Sequence, residues 1–89
     1  MQEKSVTIHN PSGLHARPAA LLVQTAGRFT SDVQIEKDGK SVDAKSVLGV
    51  MSLAVSPGSQ IVIRADGADE QEAVDALMEL IHQGLGESD

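Results

Sequence analysis

Asn10-Pro11-Ser12-Gly13-Leu14-His15-Ala16-Arg17-Pro18-Ala19-Ala20 is the stretch across which the chain changes its hydrophobic period. Before it, Lys4 to His9 alternates, with Val6 and Ile8 on one face and Ser5, Thr7 and His9 on the other. That is the pattern of a half-buried strand. After it, Ala19, Leu22, Val23 and Ala26 recur at helical spacing in a helix expected to start at Ala16 and stop at Gly27. Asn10-Pro-Ser-Gly13 between them is loop chemistry. The segment therefore predicts strand, turn and helix, with His15 at or beside the helix N-cap. Pro18 falls in the first turn, where its missing N–H would have had no partner anyway.

The remaining elements follow the same two periods. Asp32 to Lys37 alternates with Val33 and Ile35 inward, Asp38-Gly39 is a favoured hairpin turn, and Lys40 to Ala44 returns with Val42 inward. Ser46 is placed to cap a short helix beginning at Val47, and Ser56-Pro-Gly-Ser59 is the next loop. Gln60 to Asp66 is a strand with Ile61 and Ile63 on one face. In the last helix Val74, Leu77, Met78, Leu80 and Ile81 form an apolar stripe that ends at Gly84. Asp69 and Glu72 are spaced as its capping box, and the tail from Gly86 to Asp89 is expected to fray. The order is β-α-β-β-α-β-α. Strands that are apolar on one face only call for an antiparallel sheet, covered by helices on one side and wet on the other. The expected fold is an α+β open-faced two-layer sandwich of four strands and three helices, one domain over residues 1–89. Strand order stays open, because alternation does not encode it.

Composition removes several functions. Thirteen acidic against seven basic residues give a formal net charge of −6, and Phe29 is the single aromatic. Direct nucleic-acid binding needs a basic face and stacking rings, and this chain has neither. There is no cysteine, so thiolate metal sites are out, and a site built from His9, His15 and His82 would need three distant segments to converge. No metal and no cofactor are expected. Neither a signal peptide nor a membrane-spanning run is visible, so no membrane insertion and a cytoplasmic location are expected.

The chemistry concentrates at His15. A helix start leaves N–H groups without partners and carries partial positive charge, which suits an anion. That field and the Arg17 charge favour the uncharged imidazole, whose ring nitrogen is a nucleophile, and they stabilise a phosphoryl dianion once it is attached. Ser12 is foremost a turn residue, with a hydroxyl able to donate to a phosphate oxygen. His9 reads as an exposed strand residue and His82 as a polar-face helix residue.

A second constellation is Lys45-Ser-Val-Leu-Gly-Val-Met-Ser-Leu53. As a cap, Ser46 is fully explained; as a phosphoacceptor, it would carry a phosphate tolerated by the helix start. Val47, Leu48 and Met51 lie on a short helix that a thin core cannot absorb entirely. They are the candidates for an exposed apolar docking patch.

These residues resemble the histidine-containing phosphocarrier protein (HPr) family of the bacterial phosphoenolpyruvate-dependent sugar phosphotransferase system. The matching pieces are Gly13-Leu-His-Ala-Arg-Pro-Ala19, the Lys45 to Leu53 run and Gly67-Ala-Asp-Glu70, and the likeness extends over essentially the whole chain. The resemblance implies that His15 takes a phosphoryl group on Nδ1 from enzyme I and passes it to the IIA domains of sugar permeases. It also implies that Arg17 is the active-site arginine, with Ser12, Ala16 and Pro18 supporting the phosphate. Ser46 would be the serine modified by an HPr kinase/phosphorylase, a state in which the family acts with a catabolite-control regulator. The catabolite-repression paralogue lacks the active histidine, which is present here as His15. The nitrogen-system paralogue usually lacks proline at the position of Pro18. Val47, Leu48 and Ala20 depart from the commonest family residues.

Three readings stand side by side at this stage. The first is a monomeric phosphoryl carrier that is not itself an enzyme. The second is a regulatory binding module acting through the Ser46 patch, and the third is a small acylphosphatase-like enzyme.

Overall fold

The computed structural model describes residues 1–87. Its elements are β1 (Gln2–Thr7), α1 (Arg17–Ala26), β2 (Asp32–Lys37), β3 (Lys40–Asp43), α2 (Val47–Ser52), β4 (Gln60–Asp66) and α3 (Glu70–His82). The four strands form one antiparallel sheet in the order β1-β4-β2-β3. The three helices cover one face, so the expected open-faced sandwich is the observed fold. β4 enters between β1 and β2, and the β1-α1-β2 crossover must therefore span the strand made last.

Register explains why alternation read the sheet faces correctly. Val6 sits opposite Ile61, Ile35 opposite both Ile63 and Val42, and Val33 opposite Ala65. A shift of one residue would turn these side chains from the core to water. Beneath them lie Ala19, Leu22 and Ala26 of α1, Val50 of α2, and Ala73, Val74, Leu77 and Ile81 of α3, all buried. Met78 and Leu80 flank this core half-buried. The hairpin turn is as expected: Asp38 and Gly39 both take positive φ, at 51° and 83°, which matches the twist of β2 and β3.

Boundaries moved where tertiary pairing overrode pattern. β1 is Gln2–Thr7 and not Lys4 to His9, because it pairs along β4 from Gln2↔Ala65 to Thr7↔Gln60. Ile8 keeps its inward position beyond the strand end, fully buried, with its N–H on the Ser59 carbonyl. β3 ends at Asp43, and α1 starts at Arg17 with Ala16 as N-cap.

The Asp69–Glu72 capping box does not form. Asp69 is the N-cap of α3 but makes no side-chain cap bond. Its carboxylate instead accepts from the N–H groups of Thr30 and Ser31, each at 2.9 Å, and from the Ser31 hydroxyl. Gly67, at φ 153°, lets the β4–α3 turn approach Ser31 closely enough for this; a Cβ there would lie 2.6 Å from the Ser31 Oγ. Glu70 is the residue that reaches back, accepting from the Gly67 N–H at 3.2 Å. The tertiary partner outcompetes the local one because it offers three donors to one carboxylate.

Those bonds, the Ser31 hydroxyl first and the Thr30 N–H next, lower the Asp69 pKa from 3.8 to about 2. A carboxyl depressed in the folded state contributes stability above its unfolded pKa and loses it as pH falls through the folded value. Wild-type protein is therefore expected to lose stability between about pH 4 and pH 2 faster than Asp69→Asn. Urea unfolding midpoints measured across that window check this; parallel slopes would remove Asp69 from the account.

Candidate functional site

The turn that carries His15 is nailed down from inside. Asn10 is only 1% exposed, and its Nδ2 donates to the Gly13 carbonyl at 2.9 Å. The Gly13 N–H returns to the Asn10 carbonyl at 3.1 Å. Leu14 is fully buried and donates its N–H to the Val55 carbonyl at 3.0 Å, which joins the turn to the chain leaving α2. With Leu14 plugged into the core, its neighbours His15, Ala16 and Arg17 all face solvent. A buried apolar residue immediately before an exposed imidazole fixes the backbone and leaves the ring in solvent.

At the junction with α1, Ala16 has φ 52° and ψ −124°, an unusual conformation for a residue with a Cβ. Such torsions persist where the surroundings over-determine them, and they concentrate at functional sites. Ala16 offers no polar side chain to cap α1, and Pro18 at the second position has no N–H to satisfy. The first turn therefore keeps donors that no cap has claimed, with the imidazole one residue upstream. Pro18 itself is buried. Its part is to fix the helix start, while His15 and Arg17 supply the exposed chemical groups.

Ser12 sits in the turn, as the sequence reading has it, and its donors already have an acceptor. Its N–H and hydroxyl both donate to the Glu87 carboxylate, at 2.9 and 2.7 Å, and Asn10 Nδ2 adds a third bond at 2.9 Å. These bonds, Asn10 first, hold the Glu87 carboxyl below the usual range. Glu87 falls within the tail expected to fray, so that expectation is corrected at Gly86 and Glu87; residues 88 and 89 lie outside the described residues. No periodicity points to Asn10 or Glu87, because a turn asparagine and a tail glutamate both read as solvated.

His9 is exposed as expected but lies beyond β1, with Nε2 3.1 Å from the Ile81 carbonyl at the end of α3. His82 is exposed in the last turn of α3.

Ser46 is the N-cap of α2, its Oγ accepting from the Gly49 N–H at 3.1 Å, and it is half-buried. Leu48 is 83% and Val47 39% exposed, whereas Met51 packs half-buried against the core. Of the three expected docking residues, the free apolar surface is thus mainly Leu48 and Val47. α1 packs on α2, and the Leu14–Val55 bond ties the entrance of α1 to the chain leaving α2, so the imidazole and the α2 surface belong to one region.

An open-faced sandwich that sets one imidazole in solvent at an uncapped helix start has the architecture of the small histidine phosphocarriers. The family model described as the PTS HPr component phosphorylation site matches residues 2–83, and the chain belongs to the HPr family. It is 55% identical over 83 residues to the HPr-like protein Crh of Halalkalibacterium halodurans, a match covering 93% of this chain and 99% of that one. It is 49% identical to the phosphocarrier protein HPr of Cupriavidus necator over the full length of both. The crystal structure of HPr-C-His from Thermoanaerobacter tengcongensis superposes with a TM-score of 0.98 at 52% identity, covering 100% of both chains. Proteins of this family carry phosphoryl groups and are not catalysts in their own right. Among the described residues no helix is long and apolar enough to cross a membrane.

Proposed function

We propose that this chain is a phosphoryl carrier of the phosphoenolpyruvate-dependent sugar phosphotransferase system. The observation that carries the reading is the solvent-facing His15, seated one residue before the uncapped start of α1 and two before an exposed Arg17. The neutral Nδ1 attacks the phosphorus presented by enzyme I, a P–N bond forms and the bond to the donor breaks. The dianion is then held by the positive helix end, the free N–H groups beside Ala16, and Arg17. Transfer to a sugar-specific IIA domain reverses the step, with the imidazole as leaving group. The protein turns nothing over alone, acts in the cytoplasm and works as a monomer. Incubation with phosphoenolpyruvate and enzyme I is expected to place one acid-labile phosphate on His15. Phosphate release in the absence of partners would favour the acylphosphatase-like reading instead.

A regulatory role of the same chain is favoured by the exposed Val47 and Leu48 beside Ser46, and by the likeness to an HPr-like protein Crh. In this reading Leu48 and Val47 dock enzyme I and IIA domains. Ser46 is modified by an HPr kinase/phosphorylase, and the modified protein serves a catabolite-control regulator. His15 separates the present chain from a purely regulatory module, since the module has no need of a nucleophile. A charge at Ser46, on the rim of an apolar patch, repels acidic partners. Ser46→Asp is expected to weaken enzyme I binding by about tenfold. Unchanged affinity by calorimetry would take Ser46 out of the docking surface.

A further inference from the structure

Three donors lying three to five residues ahead of His15 converge on one acidic side chain from the other end of the chain. They are the Ser12 N–H, the Ser12 hydroxyl and the Nδ2 of Asn10, each within 2.9 Å of a Glu87 carboxylate oxygen. Asn10 is buried, and its other amide bond to the Gly13 carbonyl leaves it preset to donate. Preset N–H and O–H groups that converge on a single carboxylate suit an oxyanion, whether carboxylate or phosphoryl.

Glu87 does not reach this cradle by accident of a loose tail. α3 closes in a double-bonded turn, with Gly84 N–H on the Ile81 carbonyl and Leu85 N–H on the Leu80 carbonyl, each at 3.0 Å. Leu85 is fully buried, and the Glu87 N–H is held by the Gly84 carbonyl at 2.9 Å. Gly86 passes so close to α1 that a Cβ on it would lie 2.7 Å from Leu21 Cδ1 and 3.5 Å from Arg17 Nε. The segment from Gly84 to Glu87 thus lies along the flank of α1 that bears Arg17 and delivers a carboxylate to the turn that bears His15.

We infer that Glu87 is a resident anion that occupies the Ser12–Asn10 donors while His15 is unmodified and competes with the phosphoryl group for them. The inference rests on the carrier reading and deepens it. A carrier must not hold its cargo too tightly. An internal carboxylate that has to be displaced, and that repels the incoming dianion, keeps the phosphohistidine easy to discharge. Glu87 touches no reacting atom in this account; it acts through Ser12 and Asn10.

The test uses the full-length protein as wild type, Glu87→Gln, and Glu87→Gln combined with Ser12→Ala. Inorganic phosphate is titrated while the Ser12 and Asn10 amide resonances are followed, and the phosphorylation equilibrium with phosphoenolpyruvate and enzyme I is measured in parallel. Glu87→Gln is expected to bind phosphate about tenfold tighter and to shift the equilibrium about tenfold toward phosphoprotein, with both gains lost in the double variant. A merely structural tie would move both quantities the other way. Equal or weaker phosphate binding by Glu87→Gln overturns the inference, as does tighter binding that leaves the phosphorylation equilibrium where it was. If no variant accepts a phosphoryl group while the gain for inorganic phosphate persists, the carrier reading falls and the cradle for a free anion stands.

Discussion

His15→Ala protein is expected to accept no acid-labile phosphate from phosphoenolpyruvate and enzyme I, a fall of at least about 1,000-fold in initial rate. The size follows from the role: the imidazole is the atom to which phosphorus bonds, and none of its exposed neighbours offers a substitute nucleophile in the same place. Ser12 is already engaged by Glu87, and Arg17 carries no lone pair to donate. Stability should hardly move, within about 0.5 kcal/mol, because the ring is in solvent and the turn is anchored by Leu14 and Asn10. The two measurements belong together. Lost transfer with an unchanged melting curve locates the chemistry in the ring. Sugar phosphorylation sustained by His15→Ala would end the carrier reading outright.

Gly13→Ala should produce the largest loss of stability of any single methyl added to this chain. Gly13 combines a φ of +59° with a backbone approach so close that a Cβ would lie 2.2 Å from the Val55 carbonyl oxygen. The left-handed conformation alone costs roughly 1–2 kcal/mol in an L-residue, and forced displacement of packed backbone adds about as much again. The sum, roughly 2–4 kcal/mol, corresponds to a drop in melting temperature of roughly 10–30 °C for a domain of this size. Gly39→Ala is the natural control. It has a φ of +83° but nothing within 4 Å of the added methyl, so it should cost only the backbone part, about 1 kcal/mol. Equal losses at both positions would mean that the Val55 contact contributes nothing.

The second effect also links the fold to the site. To accommodate a methyl at residue 13, the turn must lift from Val55, and that movement strains the Leu14 N–H bond that seats the plug behind His15. A destabilised Gly13→Ala protein is therefore expected to transfer phosphate poorly even where it remains folded.

The local readings that succeeded share one property: the determinant and its consequence lie within a few residues. Period-two runs placed Val6, Val33, Ile35, Ile61 and Ile63 inward, and helical spacing placed Ala19, Leu22, Val74, Leu77 and Ile81 against them. Asp38-Gly39 specified its turn, Ser46 its cap, and the run from Gly13 to Pro18 set an imidazole and a guanidinium at a helix start. A side-chain period of two or 3.6 is a geometric property of the backbone, so the sequence alone determines which face is apolar.

What only the tertiary structure decided is which distant groups meet. Alternation is the same for every strand order, and so nothing local places β4 between β1 and β2. Asp69 looked like its own helix's cap and instead bonds residues 38 and 39 positions away in sequence, in the α1–β2 turn. Glu87 looked like frayed tail and instead closes on Asn10 and Ser12, more than 70 residues upstream. In each case a carboxylate exchanges water for fixed donors that exist only after the sheet and helices have packed. Such partners are products of chain crossing in space, and a one-dimensional pattern does not carry them.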